Sequence, residues 1–176
     1  MTIFLSGCAR DEFSKHKLCE SLRTSYTASA DFITSKHSKN VIGKMDIVRG
    51  EKTTVTFSSP KEYSSISVTG DSLSNPDILS FEYSGIPAQI PKSISGELSL
   101  IFLLFSDDIP IEIEKLEKDC FTKNDDGTGE VFFLKENMSC KIKYSLDTGI
   151  PYSFEAGNDE LSISLVLSDF KQKESD

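Results

Sequence analysis

Ser93-Ile-Ser-Gly-Glu-Leu-Ser-Leu-Ile-Phe-Leu-Leu-Phe-Ser106 is a strongly apolar segment in the middle of the chain. Its first serines are residues that commonly cap the start of a helix. The residues that follow are apolar on every side, which is typical of a helix with no face in water. A bilayer-spanning helix needs roughly 20 apolar residues, and this segment is shorter. The sequence therefore predicts a helix over residues 94–105 that is buried against a sheet.

On the N-terminal side of this segment, apolar and polar residues alternate, as they do in a strand with one face in the core. Turn residues such as Ser58-Ser59-Pro60 separate the alternating segments. The pattern predicts five antiparallel strands in a meander. Their inward-facing residues are Tyr26, Ala28, Ala30 and Phe32; Val41, Gly43, Met45 and Ile47; Val55 and Phe57; Ile66 and Val68; and Leu79, Phe81 and Tyr83.

The alternation returns after the apolar segment. Further strands are predicted over residues 109–121, 130–135, 140–146, 152–156 and 161–167. A sheet of nine or ten strands curls around whatever lies on its concave face. The predicted fold is therefore α+β and mostly antiparallel β: a strongly curved, half-open, barrel-like sheet with the mid-chain apolar helix on its concave face. A modest N-terminal helix is predicted from Asp11 to about Arg23, ahead of the first strand.

The N-terminus contains the pattern of a lipobox, Leu5-Ser6-Gly7-Cys8. In this pattern the Cys8 thiol receives a diacylglycerol, and cleavage then makes Cys8 the new N-terminus. The apolar stretch before it, Ile3-Phe4-Leu5, is shorter than the roughly 7 to 15 residues of a secretory signal. We therefore expect a start codon further upstream, or a chain that has been trimmed. The alternative is an ordinary buried N-terminal strand in which Cys8 is a small apolar residue.

The domain organisation follows from these patterns. Residues 1–8 are expected to be a truncated lipoprotein signal peptide, and residues 9–11 a short tether. Residues 12–170 form a single β domain, because a chain of 176 residues is long enough to bury one core. Residues 171–176 are a charged C-terminal tail. With a lipid on Cys8 the domain lies outside the cytoplasm, close to the cell membrane.

The net charge is −9, which argues against a nucleic-acid partner because phosphate backbones are also negative.

The sequence contains only weak matches to catalytic and metal-binding motifs. The two histidines, His16 and His37, fall on the short helix and in a turn, with no nucleophile beside them. Asp147-Thr148-Gly149 copies the aspartic-protease triplet once, where two copies are needed, and a hairpin turn explains it. The acidic loop 124–130 lacks the spacing of a calcium loop. We expect no enzyme activity, no metal and no cofactor.

The remaining cysteines are Cys19, Cys120 and Cys140. An exported protein could join Cys120 and Cys140 in a disulfide, because the compartment outside the cytoplasm is often oxidising. Two buried free thiols are the alternative, and the sequence leaves both open. The cysteine spacing does not resemble that of a metal site.

The order of these features resembles the LolA-like lipoprotein-carrier superfamily, and most closely its uncharacterised lipoproteins from single-membrane bacteria. The resemblance covers roughly residues 10 to 170. It consists of a lipobox followed by a short helix, the strand pair 26–32 and 42–47, the segment Val55-Thr-Phe-Ser-Ser-Pro60, the mid-chain apolar helix and the late hairpin 144–152. It implies a half-open curved sheet whose concave apolar face holds acyl chains or, in other members, a protein partner. It carries no catalytic residue over to this chain.

Two functional hypotheses follow. In the first, the curved sheet and the apolar helix enclose a cavity that holds a lipid or the acyl chain of another lipoprotein. Its lining would come from Tyr26, Phe32, Met45, Phe57, Leu100, Phe102, Leu103 and Phe105. These side chains could instead fill one another's space and leave no cavity. In the second, the domain is a non-enzymatic envelope scaffold or regulator that binds a protein partner.

Overall fold

The computed structural model describes residues 6–37, 39–71, 75–91 and 96–173. The first half contains α1 (Ser6–Arg23), β1 (Tyr26–Lys36), β2 (Lys39–Arg49), β3 (Thr53–Ser59), β4 (Ile66–Asp71), β5 (Asn75–Tyr83) and β6 (Ile86–Pro91). The second half contains α2 (Glu97–Leu104), α3 (Asp108–Lys115), a 3₁₀ turn (Lys118–Cys120), β7 (Phe121–Lys123), β8 (Thr128–Lys135), β9 (Met138–Ser145), β10 (Pro151–Gly157) and β11 (Leu161–Gln172).

The strands form a single antiparallel sheet in the order β6-β5-β4-β3-β2-β1-β11-β10-β9-β8-β7. Each half of the chain is therefore a meander, and the two meanders join where β1 pairs with β11. The edge strands β6 and β7 do not pair with each other, so the curved sheet stays open. The segment containing α2 and α3 connects these two edges. This arrangement confirms the predicted α+β fold with a strongly curved, half-open sheet.

The core lies between the inner face of the sheet and the helices. Every second residue of β1 from Tyr26 to Thr34 is buried, and β2 shows the same alternation. Side chains from both meanders meet there, including Phe32, Met45, Ile142 and Phe154. The period-two pattern in the sequence thus reports which face of each strand packs inward.

Helix α2 is the predicted apolar helix, and it is buried on several sides. Leu100, Ile101, Phe102 and Leu104 are each at most 5% exposed. Such a helix is stable only where protein covers every face. Its position between the two meanders explains why the sequence could place apolar residues around its whole circumference.

The strand predicted over residues 109–121 is wrong, because most of this segment is helix α3. Ile109, Ile111 and Ile113 alternate as they would in a strand, but Ile109 and Ile113 also fall on one helical face, and both are buried. Ile111 is 45% exposed, as the helical arrangement requires. Pro110 lies in the first turn of the helix, where its missing N–H has no intrahelical partner to lose.

Strand β6 was not predicted, since Gly85-Ile86-Pro87 has the composition of a turn. The structure places a tight turn at Ser84 and Gly85, both with positive φ, and then continues as a strand. Pro87 and Pro91 are tolerated because β6 is an edge strand and has a hydrogen-bonding neighbour on one side only.

Helix α1 begins earlier than predicted, at Ser6. Its backbone includes Cys8 and residues 9–11, the predicted tether. At the other end, β11 continues to Gln172, two residues into the predicted tail. Residues 1–5 and 174–176, which complete the predicted signal segment and tail, lie outside the described residues.

Candidate functional site

An apolar pocket of about 280 Å³ lies between α2 and the first meander. Six strand residues and one turn residue contribute to it, together with two residues from α2, and none of them carries a formal charge at neutral pH. The lining residues are Phe32, Thr34, Val41, Phe57, Tyr63, Ile66, Phe81, Leu98 and Ile101. Apart from the hydroxyl groups of Thr34 and Tyr63, the side chains are hydrocarbon.

Three aromatic rings form one wall of the pocket. The Phe32 and Phe57 rings meet edge to face with centroids 5.6 Å apart, and the Phe57 and Tyr63 rings with centroids 6.2 Å apart. The Phe32 ring lies directly over Gly43 of β2, where a Cβ atom would come within 2.7 Å of it. Tyr63 is 38% exposed, so this ring marks the mouth of the pocket. The wall therefore packs closely against β2 at its base and borders solvent at Tyr63.

The eight residues proposed from the sequence divide between the pocket and the core. Phe32 and Phe57 line the pocket. Leu103 is half-buried and packs against the core. The other five are buried core residues outside the pocket lining: Tyr26, Met45, Leu100, Phe102 and Phe105. Two of the eight proposed residues thus line the pocket, and the other six pack in or against the core.

Several pocket residues were missed in the sequence. Val41, Ile66 and Phe81 were predicted to face inward but were not named as pocket residues, and Thr34 continues the inward face of β1 by one step. Leu98 and Ile101 lie on the predicted apolar helix. Tyr63 lies in the turn between β3 and β4, where no periodic pattern exists.

Arg49, at the end of β2, fixes the helices over the sheet. Its Nε donates to the carbonyl of Leu22 at the end of α1 (3.0 Å), and its Nη1 donates to the carbonyl of Phe105 after α2 (2.8 Å). Nη2 forms an ion pair with Asp107 Oδ1, just before α3, at 2.8 Å. The Arg49 side chain is 5% exposed. One guanidinium therefore contacts all three helical segments and sets the position of α2, and so of the pocket.

The cysteines do not form the Cys120–Cys140 disulfide that the sequence left open. Cys19, Cys120 and Cys140 are free thiols. Strand β8 lies between β7, which follows Cys120, and β9, which contains Cys140, and two strand spacings are roughly 10 Å. A disulfide needs Cα atoms within about 7 Å. Burial raises the pKa of the Cys19 and Cys140 thiols to about 11, so both are protonated core groups at neutral pH.

The two suspected catalytic or calcium-binding segments are turns. In loop 124–130 the Asp126 carboxylate accepts bonds from the hydroxyl (2.5 Å) and the backbone N–H (3.0 Å) of Thr128, which lower the pKa of Asp126. Asp147 is exposed, and its backbone carbonyl accepts a bond from Lys17 of α1. Within the described ranges, no three His, Cys, Asp or Glu residues are grouped as metal ligands. His16 and His37 are exposed.

The architecture has the features that the resemblance to LolA-like proteins implied, an open curved antiparallel sheet with helices packed against it. A solved structure of an uncharacterised conserved protein from Thermus thermophilus matches it with a TM-score of 0.55 at 8% identity, covering 94% of this chain and 88% of that one. A LolA superfamily protein from Nitrosomonas europaea matches with a TM-score of 0.44 at 10% identity, covering 94% of both chains. The lipoprotein LppX of Mycobacterium tuberculosis matches with a TM-score of 0.49 at 8% identity, covering 97% of this chain and 99% of that one.

No protein-family model matches the sequence, and no curated protein matches it. The structural similarities, at 10% identity or below, therefore describe the fold alone. In the described part of the chain, none of the helices has the length and hydropathy needed to cross a membrane.

Proposed function

We propose that the chain is a membrane-anchored bacterial lipoprotein whose domain binds a lipid or acyl chain in the apolar pocket. The observation that carries this proposal is the pocket lining, which has two hydroxyl groups and no charged side chain. Concave, largely apolar sites with few polar groups are the usual form of a small-molecule site. A hydrocarbon chain is the ligand whose chemistry such a lining matches.

The size of the pocket limits the ligand. Small-molecule sites usually enclose about 300–1,000 Å³, and the 280 Å³ here is just below that range. The pocket therefore takes one alkyl chain rather than two or three. Each 100 Å² of apolar surface removed from water contributes about 2.5 kcal/mol, part of which is offset by the cost of immobilising the chain. Binding by burial alone needs no catalytic group, in keeping with a carrier or sensor rather than an enzyme.

Filling the pocket should abolish ligand binding. Leu98 lines the pocket from α2, and a tryptophan there adds volume where the ligand would lie. We expect Leu98→Trp to lose most binding of the uncharged fluorescent probe N-phenyl-1-naphthylamine, measured by titration, and to lose co-purifying lipid in native mass spectrometry. The wild-type chain should bind both.

The matched control is Leu134→Trp, because Leu134 is 73% exposed on β8, away from the pocket. It makes the same change of residue without filling the pocket, so its probe binding should equal that of the wild type. A wild-type protein that takes up neither the probe nor lipid would contradict the proposed ligand. Equal binding by Leu98→Trp and the wild type would place the ligand elsewhere.

The anchor is the second part of the proposal. With a diacylglycerol on Cys8, the lipid is attached to a residue whose backbone belongs to α1. Ser14 lies six residues further along the helix, which is about 9 Å at 1.5 Å per residue. A domain held this close to its anchor stays at the membrane surface, where single-chain lipids are available.

The anchor can be tested in the native bacterium with the gene at its own locus. Labelled palmitate should enter the wild-type protein, and the protein should fractionate with the membrane. Cys8→Ser should remove the label and abolish membrane fractionation, while the same change at Cys120, which is a free thiol, should alter neither. Absence of label from the wild type would exclude lipidation at Cys8.

A protein-binding role is the second candidate, and exposed apolar side chains on β8 favour it. Phe132 is 52% exposed and Leu134 is 73% exposed. Strand β7 pairs with β8 only at residues 129–131, so residues 132–135 have no strand partner on that side within the described chain. Lack of lipid in the mass spectrum, together with capture of an envelope protein that Leu134→Asp abolishes, would favour this role instead.

A further inference from the structure

Two lysines stand together at the mouth of the apolar pocket. Thr34 and Val41 line the pocket and are direct partners in the β1–β2 pairing, and Lys36 and Lys39 are the next partners on the same face. A step of two residues along a strand is about 6.6 Å. The two lysines therefore lie one step beyond the lining, at the tip of the hairpin, and both side chains are exposed.

This arrangement is unfavourable without a counterion. Like charges directly opposite each other on one face of an antiparallel pair destabilise the pairing. The chain has a net charge of −9, so carboxylates outnumber basic side chains. A lysine in this chain is therefore more easily placed beside a carboxylate than beside another lysine. An anion between the two ammonium groups would convert the repulsion into attraction.

Within the described residues, neither lysine forms an ion pair. By contrast, Lys44, on the outer face of the same hairpin, lies 3.4 Å from Asp31. Glu160 approaches the hairpin through its backbone carbonyl, which accepts from the His37 N–H at 3.4 Å, and its carboxylate is not paired with either lysine. The charge of Lys44 is thus neutralised by a neighbouring carboxylate, while those of Lys36 and Lys39 are not.

The Lys36 side chain also lies close to the start of α2. Its Nζ lies 3.5 Å from the position that a Cβ atom of Gly96 would occupy, immediately before the helix. Leu98, two residues further, lines the pocket. The charge therefore lies close to where the polar end of a ligand would emerge if its alkyl chain occupied the pocket.

From this geometry we infer that the ligand is an amphiphile with one alkyl chain and an anionic headgroup, carboxylate or phosphate, held by Lys36 and Lys39. The inference rests on the proposed function, because it assigns the headgroup of a ligand whose chain fills the pocket. It selects anionic single-chain lipids over neutral or cationic ones of equal length.

Four probes of equal chain length test it on the full chain: dodecanoate, dodecyl phosphate, dodecanol and dodecyltrimethylammonium, each below its micellar concentration. The two anions should bind about five- to tenfold more tightly than dodecanol, as two partly exposed ion pairs allow, and the cation more weakly. Added salt should reduce this difference, since exposed charges are screened. Inorganic phosphate at millimolar concentration should not compete, because it lacks the chain.

The double variant Lys36→Gln/Lys39→Gln removes both charges from the hairpin tip. The control is Lys171→Gln, which removes the charge of an exposed lysine on β11. Lys171 pairs with Thr27, near the opposite end of β1. The double variant should bind dodecanoate and dodecanol equally, and the control should keep the wild-type preference. Equal affinities in the wild type, or an unchanged preference in the double variant, would overturn the inference while leaving the apolar pocket in place. Failure of the uncharged N-phenyl-1-naphthylamine to bind would instead overturn the proposed function.

Discussion

Replacing Arg49 with methionine is expected to lower the free energy of unfolding by about 3 kcal/mol. Methionine fills much of the same volume but cannot donate. The carbonyls of Leu22 and Phe105 would then lose their guanidinium partner in a buried position. Asp107 is 48% exposed and can be solvated by water, so most of the loss comes from the two carbonyls. Urea denaturation followed by circular dichroism measures the change.

Arg49→Lys is the matched control. Lysine keeps the charge and the stem but presents one donor group instead of a planar fork, so it cannot reach all three acceptors at once. The free energy of unfolding of Arg49→Lys should lie between those of the wild type and of Arg49→Met. Equal stability of all three proteins would show that the bonds from Arg49 do not hold the helices.

The same substitution should also weaken ligand binding. Arg49 donates to the residue that follows α2, and α2 supplies Leu98 and Ile101 to the pocket. A looser helix makes the pocket less well defined, so the affinity for N-phenyl-1-naphthylamine should fall even under conditions where Arg49→Met remains folded. Unchanged affinity would mean that the other contacts of α2 are sufficient to position it.

Gly149→Ala is expected to destabilise the protein by about 2–4 kcal/mol, through backbone strain and overpacking together. Gly149 has a φ of +74°, and a Cβ atom there would collide with the backbone carbonyl of Lys17 and lie 2.7 Å from the nitrogen of Leu18. Those atoms belong to a helix and cannot move alone. The turn between β9 and β10 would have to separate from α1, and the midpoint of thermal or urea unfolding should fall accordingly.

Gly127→Ala separates the two causes. Gly127 has a similar φ of +80°, but no atom lies within 4 Å of the Cβ position. It should therefore show only the backbone cost of about 1 kcal/mol. A similar loss in both variants would indicate that the turn does not pack tightly on α1.

Most strands could be predicted because one face of each is buried and the other is not. Tyr26 to Thr34 show this alternation at every step. It fails for residues 109–113, where an alternating isoleucine pattern also satisfies a helix. It fails again for β6, because an edge strand tolerates prolines that otherwise indicate a turn. Both failures are local ambiguities that only the tertiary neighbours resolve.

The candidate site was less predictable than the fold. The sequence indicated which side chains face inward, and Phe32 and Phe57, both predicted to do so, are buried and line the pocket. It could not indicate which inward-facing groups meet and which leave space, because that depends on the angle of α2 against the sheet. Tyr63 and the partnership of Lys36 with Lys39 depend on turn geometry and on strand register, respectively.

The pairing of β1 with β11 is expected to slow folding. These strands lie at opposite ends of the sequence but are neighbours in the middle of the sheet. Each meander can form from local contacts, whereas joining them requires closure of a loop that contains most of the protein, and such non-local contacts slow folding. Among the described strands, β11 is also the last to be synthesised. The pocket therefore forms on a scaffold that is completed only after β11 has been made, and a chain truncated before β11 would leave β1 and β10 without the strand that joins them.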